Sequence, residues 1–243
     1  MSRNKAIALI REQVANFRPV GESLLVPGLL YRSGSLTALD EAGWTAMSEL
    51  GIRTVIDLRG PLEITAMPVS PAPGIIRISI PIPADDDAPV SNIADEGETI
   101  TRITRAYRRI VGSHGQAIAE TITTLADTRR LPAIICCTAG KDRTGIVAAM
   151  LLLALGFPRH SVEADYVATN AAMHAQHRQT IIAMANRIST FAMPKGGAAN
   201  AMLRADPAYL AAALDAAGDP FRYLEQFDVS PATLRALTRQ LVP

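Results

Sequence analysis

The chain has 243 residues, enough for one large domain, or one domain with a small appendage, around a substantial core. Hydrophobic residues make up 49% and charged residues 19%, the balance of an ordinary globular protein, and a net charge of +1 gives no field to gather nucleic acid or an anionic membrane. The two cysteines are adjacent, which argues against a disulfide-stapled secreted scaffold and points to a reducing compartment.

The opening segment "MSRNKAIALIREQVANF" carries Arg11 and Glu12 inside its apolar pattern and so lacks a signal-peptide core. "GLLYRSG" (28–34) reads as a short strand after the Pro27-Gly28 turn. "TALDEAGWTAMSELG" places Leu39, Ala42, Ala46, Met47 and Leu50 at helical spacing, with Thr37 as N-cap and Gly51 as stop. "RTVIDLR" (53–59) and "IIRISIPIP" (75–83) follow as strands, the second closed by prolines. Residues 84–97 form an acidic loop that begins with "ADDDAP". Two helices come next. Arg102, Arg105 and Arg109 share one face of the first, read as solvated in preference to an anion patch. Ser113 and Gln116 have capping-box spacing at the start of the second, before Ile118, Ile122 and Leu125.

"LPAIICC" (131–137) is a further strand, and residues 143–155 form a helix. This order defines an α/β fold with a central, mostly parallel or mixed sheet flanked by helices. The apolar run "IVAAMLLLALGF" is too short to span a bilayer and reads as a core helix. Beyond residue 158 every signal is helical. Ser161 is placed as the cap of "VEADYVATNAAM", and Asp206-Pro207, Asp219-Pro220 and Ser230-Pro231 each join a capping residue to a proline at the first helical position. His174 and His177 stand three apart, but with no acidic or cysteine partner nearby they read as surface histidines, and no metal is expected.

The chemistry gathers in "CCTAGKDRTG" (136–145), at a strand-to-helix junction. A thiol facing a helix N-terminus meets partial positive charge and unpaired N–H groups, which favour the thiolate. Those N–H groups, from Thr138 to Arg143, can wrap an anion, and the guanidinium of Arg143 adds a planar fork for two phosphate oxygens. Thr144 follows, with a hydroxyl suited to bonding the thiolate. Five residues separate Cys137 from Arg143, and that register makes Cys137 the nucleophile and Cys136 buried packing. A nucleotide-binding P-loop does not fit, because Lys141 precedes an aspartate.

The string C-x-x-G-K-D-R-T-G resembles the signature of cysteine-dependent protein tyrosine phosphatases, in particular bacterial tyrosine and lipid phosphatases with "GKDRTG" loops. The resemblance extends to "NFRPVG" (16–21), "YRSGSLTALDEAGW" (31–44), "LGIRTVIDLR" (50–59), "ADYVATN" (164–170) and the C-terminal "YL" segments. It departs from the family at Cys136, where a loop-ordering histidine is usual.

The resemblance implies a single phosphatase domain over 1–243 and a two-step reaction through a phosphocysteine, with no cofactor. Cys137, Arg143 and Asp142 would be catalytic, Asp142 as general acid. Thr138, Ala139, Gly140, Lys141, Thr144 and Gly145 would bind the phosphate. Asp85, with Asp86 and Asp87, is the rival acid on a mobile loop. Lys141 is either a second phosphate site, which the family associates with phosphoinositides, or a surface lysine. Arg59 with Asp57 is either a substrate contact or an ion pair. Residues 174–204, carrying Ile181, Ile182, Met184, Ile188, Phe191, Met193, Met202 and Leu203 and a turn at Pro194 to Gly197, would form a helical lid. Phosphorylated protein or phosphoinositide is the expected substrate, with no nucleic acid and no transmembrane segment. The expected location is cytoplasmic, or exported without a recognisable signal peptide. The competing classes are a rhodanese-like sulfurtransferase, an arsenate reductase and a non-catalytic phosphate-binding module.

Overall fold

Short apolar runs build a sheet, and helices cover both of its faces. The computed structural model describes residues 1–70, 72–83, 95–187 and 196–243. In chain order the elements are α1 (Arg3–Gln13), β1 (Arg18–Pro19), β2 (Leu30–Ser33), α2 (Glu41–Glu49), β3 (Thr54–Asp57), α3 (Pro61–Ala66) and β4 (Ile76–Ser79). Then come α4 (Glu96–Ser113), α5 (Gly115–Leu125), β5 (Ala133–Cys136) and α6 (Asp142–Ala154). The remainder is helical: α7 (Arg159–Val167), α8 (Thr169–Ala172), α9 (Ala175–Arg187), α10 (Gly196–Leu203), α11 (Pro207–Ala217), α12 (Pro220–Glu225) and α13 (Pro231–Leu241).

The five strands lie in the order β1-β2-β5-β3-β4, all neighbours parallel except the β1–β2 pair. β5 is therefore central, its Ile134 in register with Tyr31 on one side and Val55 on the other. Side chains alternate across a strand. Ile135 and Cys137 join the core beneath α4, α5 and α6, while Ile134 and Cys136 join a second core with α1 and α2. The adjacent cysteines thus belong to opposite faces of the sheet. α6 is buried nearly all round, as its unbroken apolar run requires.

Several boundaries differ from the sequence reading. α2 is capped by Asp40, whose side chain accepts from the Gly43 N–H, while Thr37 lies in a 3-10 turn begun by Ser35. Ser113 and Gln116 form no capping box. Ser113 is the last residue of α4, and His114 holds the cap position of α5 with no side-chain bond, because the two helices follow each other without a loop. Ser161 lies inside α7, which starts after Pro158, whose fixed φ places the helix start earlier. The three cap-proline starts at 206, 219 and 230 form as read. β1 and α1 went unread, β1 because two residues carry no periodicity. His177 is buried, 5.8 Å from the His174 ring, and is no surface histidine.

Candidate active site

β5 delivers Cys137 to the centre of the sheet's C-terminal edge, where ligands collect in α/β folds. The loop from Cys137 then turns tightly into α6. Gly140 makes that turn, with φ at +67°. A Cβ there would stand 2.4 Å from the Ser33 carbonyl, so only glycine fits. Among the described residues, no backbone or side-chain oxygen accepts from the N–H groups of Thr138 to Arg143. Six donors at a helix N-terminus form a cradle for an anion.

Arg143 is buried and held from the side. Its Nη1 and Nη2 donate to the two carboxylate oxygens of Glu63, at 2.5 and 2.7 Å, with further bonds to the Ile82 carbonyl and Thr138 Oγ1. Thr138 Oγ1 also donates to Glu63. Burial raises the Glu63 pKa, but the charge of Arg143 and the hydrogen bonds from Arg143, Thr138 and Gly60 outweigh it and hold the carboxyl down at about 2. Burial likewise works against the guanidinium, and Glu63 more than compensates, holding it firmly charged. Glu63 was missed in the sequence. Its only local signal is "RGPLE", a proline at the first position of α3 with a glutamate two residues on that accepts from the Gly60 N–H at 2.8 Å.

Asp142 opens α6, and its side chain is 37% exposed. The Tyr107 hydroxyl donates to it at 2.7 Å and in turn accepts from the Tyr166 hydroxyl at 2.6 Å. Lys141 is no surface lysine. Its ammonium is buried against the Met202 and Arg204 carbonyls and the Asp142 carboxylate, at 2.8, 3.2 and 2.9 Å, and lies over the Tyr209 ring. A second phosphate on Lys141 would have to displace one of these partners. Ala139 packs under α9 and α10, in a small cluster with Met173, Ile181 and Leu203. The Thr144 hydroxyl is buried with no partner among the described residues.

Arg59 is fully buried in a bidentate pair with Asp57 and also bonds Ser35 and the Met67 carbonyl. Of the two readings of Arg59, its geometry is that of an ion pair. Arg102 on α4 pairs with Glu98 one turn away, as on a solvated face. Cys136 is buried, and burial together with the Asp57 carboxylate drives its thiol well up, away from reactivity. Asp85, Asp86 and Asp87 lie outside the described residues, as do Ile188, Phe191, Met193 and Pro194.

Cys137 thus leads into a loop whose amides have no acceptor among the described residues and whose arginine is locked by Glu63. The tyrosine phosphatase family model matches residues 10–243. The chain is 30% identical to the triple specificity protein phosphatase PtpB of Mycobacterium tuberculosis, over 91% of this chain and 94% of that one. It is 28% identical to a putative tyrosine-protein phosphatase of Cupriavidus necator, over 64% and 58% of the two chains. Among solved structures, the core catalytic domain of the PP-IP phosphatase SIW14 from S. cerevisiae overlaps 68% of this chain and 83% of its own, at 15% identity and a TM-score of 0.39, too loose a likeness to bear on activity. The chain belongs to the tyrosine phosphatase family. It is a phosphatase of the protein tyrosine and dual-specificity class.

Proposed function

We propose that Cys137 is the nucleophile of this phosphatase, and that its range covers phosphotyrosine, phosphoserine or phosphothreonine, and phosphoinositides. The observation that carries the site assignment is the free amide ring from Thr138 to Arg143 next to Cys137, with Arg143 fixed by Glu63. The thiolate attacks phosphorus in line. A P–S bond forms as the P–O bond breaks, and Asp142 gives its proton to the leaving oxygen. Water then attacks phosphorus, Asp142 takes the water proton, and the thiolate departs. The amides carry the oxygens' charge, already oriented before substrate arrives. Arg143 adds its positive charge, but Glu63, Ile82 and Thr138 occupy both of its Nη groups, so a phosphate oxygen would meet Nε or displace one of those partners.

α9 and α10 cover Ala139, and the backbone at Met202 and Arg204 holds Lys141, which supports their role as a lid over a single catalytic domain. The triple specificity for which the mycobacterial relative is named, at 30% identity over nearly all of both chains, supports a broad range here. No helix among the described residues is long and apolar enough to cross a membrane. The adjacent unpaired cysteines suit a reducing compartment, which supports a cytoplasmic location.

The test is substitution of each cysteine with a substrate panel. Cys137→Ser should lose turnover but still bind phosphate, because the amides and Arg143 remain, and Cys136→Ser should keep most activity. Equal loss in both would overturn the assignment. Phosphopeptides and phosphoinositides assayed side by side settle the range, and turnover of thiosulfate without phosphate release would point to a sulfurtransferase.

A further inference from the structure

Two stretches beyond the loop, "NFRPVG" and "YRSG", converge on one atom of it, and a third, "ADYVATN", holds their arginines. The Gly140 carbonyl accepts from Asn16 Nδ2 at 2.6 Å and from Arg32 Nη2 at 2.9 Å. Arg32 Nη1 pairs with Asp165 at 2.8 Å, and Arg18 pairs with the other oxygen of the same carboxylate at 2.7 Å. Arg18 Nε closes the circuit by donating to Asn16 Oδ1 at 3.1 Å. The Gly21 N–H adds a bond to Asp165, and Thr169 lies within reach of Asn16 and Arg18.

We propose that Asn16, Arg18, Arg32 and Asp165 are positioning residues for phosphoryl transfer, fixing the Gly140–Lys141 peptide so that the Lys141 N–H faces the bound phosphoryl group. The proposal rests on the loop being the phosphate site. In a trans peptide the carbonyl and the following N–H point in opposite directions. Holding the Gly140 oxygen from behind therefore aims the Lys141 N–H, which has no protein acceptor among the described residues, to the other side. Two donors on the carbonyl, one of them a cation, also polarise the peptide and strengthen its N–H as a donor.

Each member of the set has a reason to be there. Arg32 is 0% exposed, so its charge requires an anion, and Asp165 supplies it. Burial and then the neighbouring Arg32 lower the Arg18 pKa to about 10, with Asp165 opposing both, so Arg18 stays charged at neutral pH. Asn16 sits at φ +56°, a left-handed conformation that asparagine tolerates, which turns its amide toward the loop. Buried ion pairs add little net stability over apolar packing, so this network is better explained by the geometry it imposes. A peptide that must present its N–H to a transition state needs such geometry, since small misplacements cost rate.

Asn16→Asp tests the set most directly. It keeps the size, the backbone tolerance and the acceptor for Arg18, but places an oxygen where the donor to Gly140 stood. Arg32→Lys is the second variant. It keeps a cation for Asp165 while giving up the fork that serves Asp165 and Gly140 together. Turnover of p-nitrophenyl phosphate, whose leaving group needs no proton, reads the loop independently of the general acid. We expect kcat to fall about 10- to 100-fold and orthovanadate inhibition to weaken by a similar factor in the folded variants. If Asn16→Asp does not fold, the same comparison on Arg32→Lys decides. A lowered Tm with wild-type kcat and wild-type vanadate inhibition would show a merely structural role and overturn the inference. Cys137→Ser is measured alongside. An active Cys137→Ser would bring down the site assignment and this inference together, whereas wild-type kcat in the variants beside an inactive Cys137→Ser brings down this inference alone.

Discussion

Among the described residues, Asp142 and Glu63 are carboxylates beside the loop from 137 to 145, and their surroundings differ. Asp142 is partly open to solvent and touched by Tyr107 and Lys141, which leaves it reachable for the proposed general-acid role. Asp142→Asn should lower kcat about 10²- to 10⁴-fold for alkyl and tyrosyl phosphates, the usual contribution of a general acid, and far less for esters of very acidic phenols. Should that leaving-group dependence follow Asp85, Asp86 or Asp87 instead, that residue is the acid. Glu63 is enclosed and held ionised by Arg143. Its pKa is depressed from 4.5 to about 2, so its stabilising contribution is fully present above pH 4.5 and is lost as the pH falls toward 2. Glu63→Gln should therefore destabilise the protein at pH 7 by about 3–5 kcal/mol, the usual cost of unpairing a buried charge, and flatten the acid limb of its stability curve. Denaturation measured from pH 7 to 2.5 checks this, and parallel acid limbs in the two proteins would show that the pair is not coupled to folding.

At the scale of elements, β5 and α6 are buried in the main core, while α9 and α10 meet the loop through a small separate cluster. Apart from their small cluster on Ala139, their described links to the loop are the backbone bonds to Lys141. Methionine near such a contact suits an element that repacks, and loosely held elements open locally. Amide exchange in α9 and α10 should be faster than in β5, and orthovanadate should slow it. Protection equal to that of β5 and unchanged by ligand would make the pair part of the core instead.

For the whole molecule, oxyanion binding and folding should be coupled. An anion that binds the folded cradle and not the unfolded chain stabilises by about 2.7 kcal/mol at a hundred times its Kd. For a chain of this length that is a rise in Tm of roughly 5–10 °C, read by a thermal scan with orthovanadate. A scan that does not move at saturating anion would show that the loop is not a preformed site.

How much of this was legible depended on distance along the chain. The proposed site residues Cys137, Asp142 and Arg143 fall within one short stretch at a strand-to-helix junction, and the cap-proline helix starts fall within two residues, so local rules suffice to single them out. The same rules misplaced the starts of α2, α5 and α7, because one serine or threonine looks like a cap wherever a helix begins nearby. By itself the sequence determined the α/β class, the strand–loop–helix that carries the thiol and, by counting back from Arg143, which of two adjacent cysteines faces the helix, since spacing within one stretch needs only neighbours. Only the tertiary structure decided that Glu63 clamps Arg143, that the Lys141 ammonium turns into the α10–α11 junction, and that Asn16 and Arg32 grip the back of the loop. Those partners lie some 60 to 120 residues from the groups they hold, and no periodicity links them. A buried charge takes whichever opposite charge the packing of the sheet brings to it, and that choice is made in space rather than along the chain.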